Sequence, residues 1–250
     1  MPFLALDAGN SSTKAALWDG AWGEAVRLPP APPAALAEAL RAFGRATAVG
    51  LAAVVPEASL REAVREALGL DVRVVSAHGA LPFALAYRTP ATLGADRLAA
   101  AAAAHALAPG RPVVVVDAGT AVTVDAVDLR DGRAVYRGGA IAPGADLLRR
   151  ALARGTAALP EIDLTEAAPP LGDSTRASIE AGLGGMLAGG VARLVATVAA
   201  ELSAPPLVVA TGGWAPWLAA RVDRIDRVEP YLVLDGVRRL VGGDGRGTVG

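Results

Sequence analysis

Cysteine is absent from the 250-residue sequence, and only one of its 24 basic residues is lysine. The absence of cysteine excludes a disulfide framework, a thiolate zinc site and a cysteine nucleophile. Because 25 acidic residues bring the net charge to -1, the overall charge favours neither a nucleic acid nor an anionic membrane as partner. The sequence does not start with a basic stretch and a long apolar run, and the alanine-rich segment 98–108 is too short to span a bilayer. We therefore expect a soluble, cytoplasmic protein without a nucleic-acid or membrane partner.

A repeated segment organises the rest of the chain. The sequence FLALDAGNSSTKAAL at 3–17 is echoed by VVVVDAGTAVTVDAV at 113–127, and each copy runs from an apolar strand pattern into Asp-Ala-Gly. Each copy then continues through a second strand pattern to an Asp-Gly turn and a third strand pattern. A duplicated fold explains the repeat and predicts two domains, at 1–110 and 111–250. The alternative is one doubly wound domain in which the echo is accidental.

Hydrophobic periodicity predicts the elements around the two copies. Strand patterns occupy 3–7, 13–18, 24–28, 48–54, 72–75, 113–117, 121–129, 133–138 and 207–213. Helical patterns occupy 34–43, a segment opened by the capping pattern Ser59-x-x-Glu62, an alanine-rich segment from Asp96, and 144–154, 174–202 and 214–222. Strand meanders followed by alternating helices and strands predict an α/β fold.

The first Asp-Ala-Gly turn has the chemistry of a phosphate site. Asp7 ends a strand, and a glycine turn after it offers a concave row of backbone N–H groups for phosphate oxygens. Gly9 lets the backbone approach closely, and Lys14, the one lysine in an arginine-rich chain, adds a compact positive charge. Taken alone, such a turn can equally be a structural hairpin. The candidate ATP-binding residues of this turn are Asp7, Ala8, Gly9, Asn10, Ser11, Ser12, Thr13 and Lys14.

The second copy and a later glycine pair extend the pattern. Asp117-Ala-Gly-Thr120 repeats the turn, and Thr211-Gly-Gly213 ends another apolar strand, where a bare backbone can lie against a base. Further ATP-binding candidates are therefore Gly119, Thr120, Gly212 and Gly213. This arrangement resembles the actin-like ATPase fold, in which two duplicated ribonuclease-H-like α/β domains hold a nucleotide polyphosphate in the cleft between them.

Other segments resemble those of type III pantothenate kinases. They are Tyr87-Arg-Thr-Pro-Ala-Thr-Leu-Gly-Ala-Asp-Arg97, Gly138-Gly-Ala-Ile-Ala-Pro-Gly144, Leu159-Pro160 and Ser174-Thr175. With the two Asp-Ala-Gly turns they cover most of the chain in the family's order, although Ser11 replaces the threonine of many members. The resemblance implies ATP-dependent phosphorylation of pantothenate to 4'-phosphopantothenate, the first step toward coenzyme A, with Mg2+ on ATP.

The Gly-Ala-Asp-Arg segment also suits a substrate site on chemical grounds. Asp96 falls at the predicted start of a helix, where a carboxylate is favoured and exposed N–H groups can meet a ligand. In a kinase, an aspartate orients the acceptor hydroxyl and takes up its proton, and we assign this catalytic role to Asp96. Arg97 would bind the pantothenate carboxylate or a phosphate oxygen. The structural alternatives are an N-cap role for Asp96 and a salt bridge between the two residues.

The resemblance implies further contacts with pantothenate. Gly94 and Ala95 belong to the same segment, and Tyr87 offers an apolar ring with a hydroxyl, although by composition it could be a core residue. Thr175 would be an ordinary N-cap by composition, but the matching threonine touches pantothenate in the family. Family members build this pocket from two subunits, which implies a homodimer, and the glycine-rich helix at 174–202 suits close helix contact.

Asp117 is the predicted site of a monovalent cation. Lys14 stands seven residues after Asp7, whereas Val124 takes that place after Asp117, so the second turn is short of positive charge. The resemblance implies that K+ or NH4+ at Asp117 fills this role. The alternatives are that Asp117 holds the divalent cation of ATP or caps its own turn.

Two other functions stay open. One is a regulatory accessory protein that kept the fold and lost the chemistry, and the other is a kinase or phosphatase of this fold that acts on a sugar or a polyphosphate. The presence of Asp96, Lys14 and both turns favours the pantothenate kinase.

Overall fold

The strands form two sheets, and the strand that leads into Asp-Ala-Gly has the same pairing pattern in both. The computed structural model describes residues 1–28, 30–164 and 170–243. Its strands are β1 (Phe3–Ala8), β2 (Thr13–Trp18), β3 (Val26–Leu28), β4 (Ala48–Ala53), β5 (Val72–Val74), β6 (Ala84–Leu85), β7 (Val113–Ala118), β8 (Ala121–Arg130), β9 (Arg133–Pro143), β10 (Leu207–Thr211) and β11 (Arg227–Val228). The sheet orders are β3-β2-β1-β4-β5 and β11-β10-β7-β8-β9-β6. Each Asp-Ala-Gly strand, β1 or β7, pairs antiparallel with the next strand and parallel with a later one. The predicted α/β class is confirmed.

Six of the described helices lie close to the predicted positions, and the last one, α7, was not predicted. They are α1 (Pro33–Leu40), α2 (Ala58–Leu68), α3 (Ala95–Leu107), α4 (Ala145–Gly155), α5 (Thr175–Ala200), α6 (Ala215–Ala219) and α7 (Leu232–Val241). The capping prediction at Ser59 is wrong, because α2 begins at Ala58 after Glu57, whose carboxylate pairs with Arg61. Thr175 is not an N-cap, since Ser174 takes that place and its Oγ accepts a hydrogen bond from the backbone N–H of Ala177.

The chain groups into two compact units by its internal contacts. Among the described residues, unit 1 comprises 1–109, 133–136 and 231–243, and unit 2 comprises 110–132 and 137–230. The domain limits 1–110 and 111–250 stay a prediction, and residues 244–250 lie outside the described ranges. The contact grouping differs from those limits by assigning α7 to unit 1.

In unit 1, helices cover both faces of the first sheet. Leu4, Leu6 and Leu51 of the strands share a core with residues of α1 and α2. On the other face, α3 and α7 cross at very close range, since a Cβ at Gly236 would lie 1.8 Å from the carbonyl oxygen of Ala99. The small alanine side chains of α3 allow this close packing. The contact with α7 holds α3, the helix that begins at Gly-Ala-Asp-Arg, in place.

In unit 2, α5 buries one stripe of its surface. Its buried apolar residues recur every four positions and share a core with β7 and β8: Ile179, Leu183, Leu187, Val191 and Val195. The exposed stripe consists of Gly182, Gly185, Met186, Gly189 and Gly190. Within the described ranges, α5 is the helix long and apolar enough to cross a membrane, which is weak support for a membrane span because the core helix of a soluble protein passes the same test.

Asp128 connects β8 to the chain that follows α5. Its side chain is 2% exposed and accepts hydrogen bonds from the backbone N–H of Ser203 (3.0 Å), the Ser203 hydroxyl (2.8 Å) and the backbone N–H of Leu129 (2.9 Å). Arg137 also donates to it at 3.3 Å. Burial alone would raise the pKa of Asp128, but the hydrogen bonds from Ser203 and Leu129 favour the carboxylate and leave the pKa below its ordinary value.

We expect Asp128→Asn to lower the free energy of unfolding at pH 7 by about 1.5–3 kcal/mol, because charge-assisted hydrogen bonds to a buried carboxylate are lost. The lowered folded-state pKa means that this stabilisation is present above the unfolded-state pKa, about 4, and is lost as pH falls through the folded-state pKa. Urea unfolding at pH 7 and at lower pH measures the effect, with Asp131→Asn in the adjoining exposed turn as control. An equal loss for both variants, or a loss independent of pH, would contradict this account.

Candidate functional site

The first Asp-Ala-Gly turn connects β1 and β2. It is closed by a hydrogen bond from the backbone N–H of Gly9 to the carbonyl of Ser12 at 3.2 Å. Asp7 and Lys14 are directly opposite each other in the β1–β2 register, and both are partly exposed. The predicted carboxylate and ammonium therefore lie at one end of the sheet, on neighbouring strands.

A cavity of about 220 Å³ borders this turn within unit 1. Apolar side chains from the start of α1 and small polar side chains from the turn and α2 form its walls. The lining residues are Ala8, Gly9, Asn10, Ser12, Thr13, Pro30, Ala31, Leu36, Val55, Pro56, Glu57, Ser59 and Leu60. The turn is therefore accessible on the side of α1 and α2.

The second turn, between β7 and β8, is one residue shorter than the first when counted between the residues that pair across it, Ala118 and Val122 against Ala8 and Thr13. The β7–β8 register places Thr123, not Val124, opposite Asp117. Thr123 is therefore the structural counterpart of Lys14, which corrects the position inferred from spacing, because spacing alone does not reveal the shorter turn. The conclusion that a lysine is missing beside Asp117 is unchanged.

Two glycines from other segments of unit 2 lie against the second turn. A Cβ at Gly144, before α4, would lie 2.3 Å from the carbonyl oxygen of Gly119 and 2.6 Å from that of Thr120. Gly212, with φ of +92°, follows β10, and a Cβ there would lie 2.5 Å from the carbonyl oxygen of Ala118 and 2.7 Å from Asp117 Oδ1. Asp117 Oδ1 and the carbonyl oxygens of residues 118–120 therefore lie where a side chain at position 144 or 212 would clash with them.

The backbone also holds this arrangement in place. The N–H of Gly144 donates to the carbonyl of Thr120 at 3.1 Å, and the N–H of Trp214 donates to the carbonyl of Ala118 at 3.0 Å. Unit 1 has a matching bond, from the N–H of Val54 to the carbonyl of Ala8 at 3.1 Å. The predicted ATP-binding residues Gly119, Thr120 and Gly212 are therefore brought together around Asp117, and Gly213 adjoins them in an exposed position.

In the predicted substrate segment, residues 87–97, Asp96 lies in the first turn of α3, after Gly94 at the N-cap and Ala95 at the first helical position. Asp96 Oδ1 accepts a hydrogen bond from the backbone N–H of Arg97 at 2.8 Å. A Cβ at Gly94 would lie 2.4 Å from the same oxygen, so glycine is required for this carboxylate orientation. The carboxylate is partly exposed, as a group that meets a hydroxyl substrate must be.

Tyr87 and Arg97 contact each other, and Arg97 directly follows Asp96. The Arg97 guanidinium carbon is 5.9 Å from the centre of the Tyr87 ring, within cation–π range, and Arg97 is 8% exposed. Behind Tyr87 lies the fully buried Tyr136, which sequence reasoning did not assign to the site. A tyrosine in an alternating strand pattern gives no signal that distinguishes it from other core residues.

Thr175 and His105 each lie near one end of a helix. Thr175 is the first residue of α5 and is exposed, and its contact with substrate stays a prediction. His105 is in the last turn of α3, the opposite end from Asp96, and burial lowers its pKa. Since nine residues of helix span about 14 Å, His105 is too distant to assist Asp96.

The described residues offer carboxylate and carbonyl oxygens as possible ligands for a cation. Among the described residues, no group of three or more His, Cys, Asp or Glu side chains could hold a metal ion. Mg2+ commonly binds through substrate phosphates and one or two carboxylates, and so does not need such a cluster. The carboxylate of Asp117 with the neighbouring carbonyl oxygens is an oxygen-rich set suited to a hard cation.

The comparisons with known proteins identify the family. Residues 3–197 match the family model described as type III pantothenate kinase. The chain belongs to the type III pantothenate kinase family. Type III pantothenate kinases from Chlorobaculum parvum and Frankia alni are 34% and 35% identical to it, over 95% and 94% of this chain and 93% and 96% of theirs. The one from Acidiphilium cryptum is 39% identical over 75% of this chain and 70% of its own.

Solved structures show that this type III pantothenate kinase has the actin-like ATPase fold of sugar kinases. A ROK-family glucokinase from Streptomyces griseus matches with a TM-score of 0.56 and 16% identity, covering 95% of this chain and 98% of that one. A Campylobacter jejuni protein described as a Baf-family transcriptional activator matches with a TM-score of 0.60 and 20% identity, covering 96% and 97%. At these identities the likeness establishes the fold and does not transfer a regulatory role.

Proposed function

We propose that the protein transfers the terminal phosphoryl group of ATP to the primary hydroxyl of pantothenate, which yields 4'-phosphopantothenate. The observation that carries the proposal is the substrate segment, where a glycine-positioned Asp96 carboxylate adjoins a largely buried Arg97 that lies on the Tyr87 ring. The family membership of the chain supports the same reaction. A cytoplasmic location follows from this role in metabolism.

Asp96 would act as the catalytic base. Its Oδ1 is held by the N–H of Arg97, and the carboxylate can accept the proton of an acceptor hydroxyl while the alcohol oxygen attacks the phosphorus and ADP leaves. Arg97 would bind the pantothenate carboxylate, because a guanidinium can donate two parallel hydrogen bonds to a carboxylate. Tyr87, Gly94 and Ala95 would line the same pocket, with Tyr87 against the apolar part of the substrate.

The residues from Asp7 to Lys14 would bind ATP phosphates. The glycine turn offers backbone N–H groups, and Lys14 beside Asp7 supplies a positive charge. Mg2+ bound to ATP would neutralise phosphate charge as the reaction proceeds. Gly212 and Gly213 would leave room for the adenosine, as a backbone without side chains allows close approach.

Asp117 would hold a monovalent cation, K+ or NH4+. The support is the pairing of Asp117 with Thr123 where Asp7 has Lys14, together with the carbonyl oxygen of Ala118, which lies with Asp117 Oδ1 against Gly212. A bound cation would supply at the second turn the positive charge that lysine supplies at the first.

A substrate panel tests the proposed function. ADP release by the purified protein is followed in a coupled assay with pantothenate and with a set of hexoses, at saturating MgATP and in potassium buffer. We expect pantothenate to be the preferred acceptor. Release of ADP with a hexose but not with pantothenate would favour a sugar kinase instead, and no release with any acceptor would favour the accessory-protein alternative.

The protein would act as a homodimer that uses the exposed small-residue stripe of α5. Small residues allow two helices to approach closely, and symmetric pairs are the commonest oligomers. Thr175, at the start of α5, would then contribute to the pantothenate pocket of the partner subunit.

The chain would consist of two duplicated ribonuclease-H-like domains. The strand order β3-β2-β1-β4-β5 of the first sheet recurs as β9-β8-β7-β10-β11 in the second, which supports this proposal.

We expect light scattering to give twice the chain mass of 25.1 kDa for the wild type. Gly189→Arg should give the single-chain mass and lower activity, because the new side chain would enter the helix contact. A Cβ at Gly189 meets no atom within 4 Å, so the change does not disturb the fold of one chain. Gly155→Arg at the end of α4, equally open, is the control. A fully active wild-type protein of single-chain mass would contradict the dimer.

A further inference from the structure

Tyr136 is connected to the substrate segment through the backbone. It lies in β9, within the short segment 133–136 that groups with unit 1. Strand β6 pairs with this segment, so that Leu85 is opposite Tyr136 and the N–H of Ala86 donates to the carbonyl of Tyr136 at 2.9 Å. The residue just before Tyr87 is therefore held by the main chain of position 136, whatever side chain that position carries.

The Tyr136 ring makes a second, independent connection. It has no exposed surface, and its centre lies 6.1 Å from the centre of the Tyr87 ring at an interplanar angle of 64°. On its other side, Phe83 stacks on it at 5.8 Å and 29°. Edge-to-face and offset stacked pairs of this kind are favourable beyond the area that they bury, so the two neighbours restrict each other's orientation.

The buried rings also restrict the orientation of the Arg97 guanidinium, because they hold the Tyr87 ring that it contacts. Phe83 and Tyr136 are buried, Tyr87 is partly exposed, and Arg97 lies 5.9 Å from the Tyr87 ring centre. An arginine has many rotamers, and each side chain that must be ordered on binding costs affinity. A ring that is already fixed gives the guanidinium a surface on which it is ordered before substrate arrives.

We propose that Tyr136 is a positioning residue for the acceptor substrate: its ring fixes Tyr87 and, through Tyr87, the guanidinium of Arg97. Because Tyr136 has no exposed surface, it would act on acceptor binding through Tyr87 and not on the two Asp-Ala-Gly turns. This inference rests on the proposed function, in which Tyr87 and Arg97 bind pantothenate.

Steady-state kinetics of Tyr136→Leu and Tyr136→Phe test the proposal. We expect Tyr136→Leu to raise KM for pantothenate about three- to tenfold with KM for ATP within about twofold of the wild type, because the aromatic pair is lost. Tyr136→Phe, which retains the ring, should have the same KM for pantothenate as the wild type. If Tyr136→Leu does not fold, Tyr136→Met replaces it, because the unbranched side chain of methionine adapts to irregular gaps in a core.

Phe43→Leu is the matched control, because Phe43 is a buried aromatic residue of unit 1 that belongs to the core under α1 and α2. It should leave both KM values unchanged even where thermal unfolding shows a similar loss of stability. Equal changes in the two KM values, an unchanged KM for pantothenate in Tyr136→Leu, or the same rise in Tyr136→Phe would overturn the proposal. Failure of the wild type to phosphorylate pantothenate would instead refute the proposed function.

Discussion

Replacement of Asp96 by asparagine is expected to lower kcat by about 10²- to 10⁴-fold, the range found for a positioned general base. Asparagine keeps the shape and can still accept the hydrogen bond that the N–H of Arg97 donates to Oδ1, so the start of α3 should persist. The amide cannot take up the proton of the pantothenate hydroxyl. The KM values for ATP and pantothenate should therefore change much less than kcat.

The control is Asp146→Asn. Asp146 occupies the second position of α4 after a glycine N-cap, as Asp96 does in α3, and its carboxylate pairs with Arg149. The two substitutions remove the same charge from equivalent places at a helix N-terminus, which separates a catalytic effect from a helix-dipole effect. An Asp96→Asn variant with half of the wild-type kcat, or an equal loss in the control, would end the assignment of Asp96 as the base.

Replacement of potassium by choline at constant ionic strength is expected to lower the rate about tenfold or more, since a cation about 4 Å from a phosphate oxygen contributes a few kcal/mol. The cause is the missing positive charge at the second turn, where Asp117 faces Thr123, whereas Asp7 faces Lys14 at the first. Rates in potassium, ammonium, sodium and choline salts at saturating magnesium measure the dependence.

Two aspartate variants locate the ion. Asp117→Asn should abolish the difference between potassium and choline, whereas Asp7→Asn, at the equivalent place of the first turn, should lower the rate in both salts and retain their ratio. Equal wild-type rates in potassium and choline would refute the requirement for a monovalent cation. An Asp117→Asn variant that responds to potassium like the wild type would move the ion to another site.

Local sequence patterns predicted most of the elements because their signals are short-range. The Asp-Gly pair at 131–132 adopts positive φ at both residues, as the hairpin between β8 and β9 requires. The alanine-rich α3 begins where Gly-Ala-Asp-Arg indicated. The amphipathic α7 was missed, and so were β6 and β11, which have two residues each and form by pairing with distant strands.

The spatial relations within the candidate site could not be read from spacing. The shorter second turn shifts the register by one residue, so Thr123 and not Val124 is the partner of Asp117. Gly144 and Gly212 meet the second turn from positions that are 24 and 92 residues after Thr120 along the sequence, through contacts that depend on tertiary folding. Tyr136 likewise reaches Tyr87 only because β6 pairs with β9.

The central claim is that this chain phosphorylates pantothenate, and analysis of the product tests it most directly. The protein is incubated with MgATP and pantothenate in potassium buffer, and the products are followed by ³¹P NMR and mass spectrometry. We predict the appearance of pantothenate that carries one phosphoryl group on its primary hydroxyl, with ADP formed in equal amount and neither product formed at a significant rate by Asp96→Asn. Unmodified pantothenate after ATP has been consumed, or full product formation by Asp96→Asn, would contradict the account.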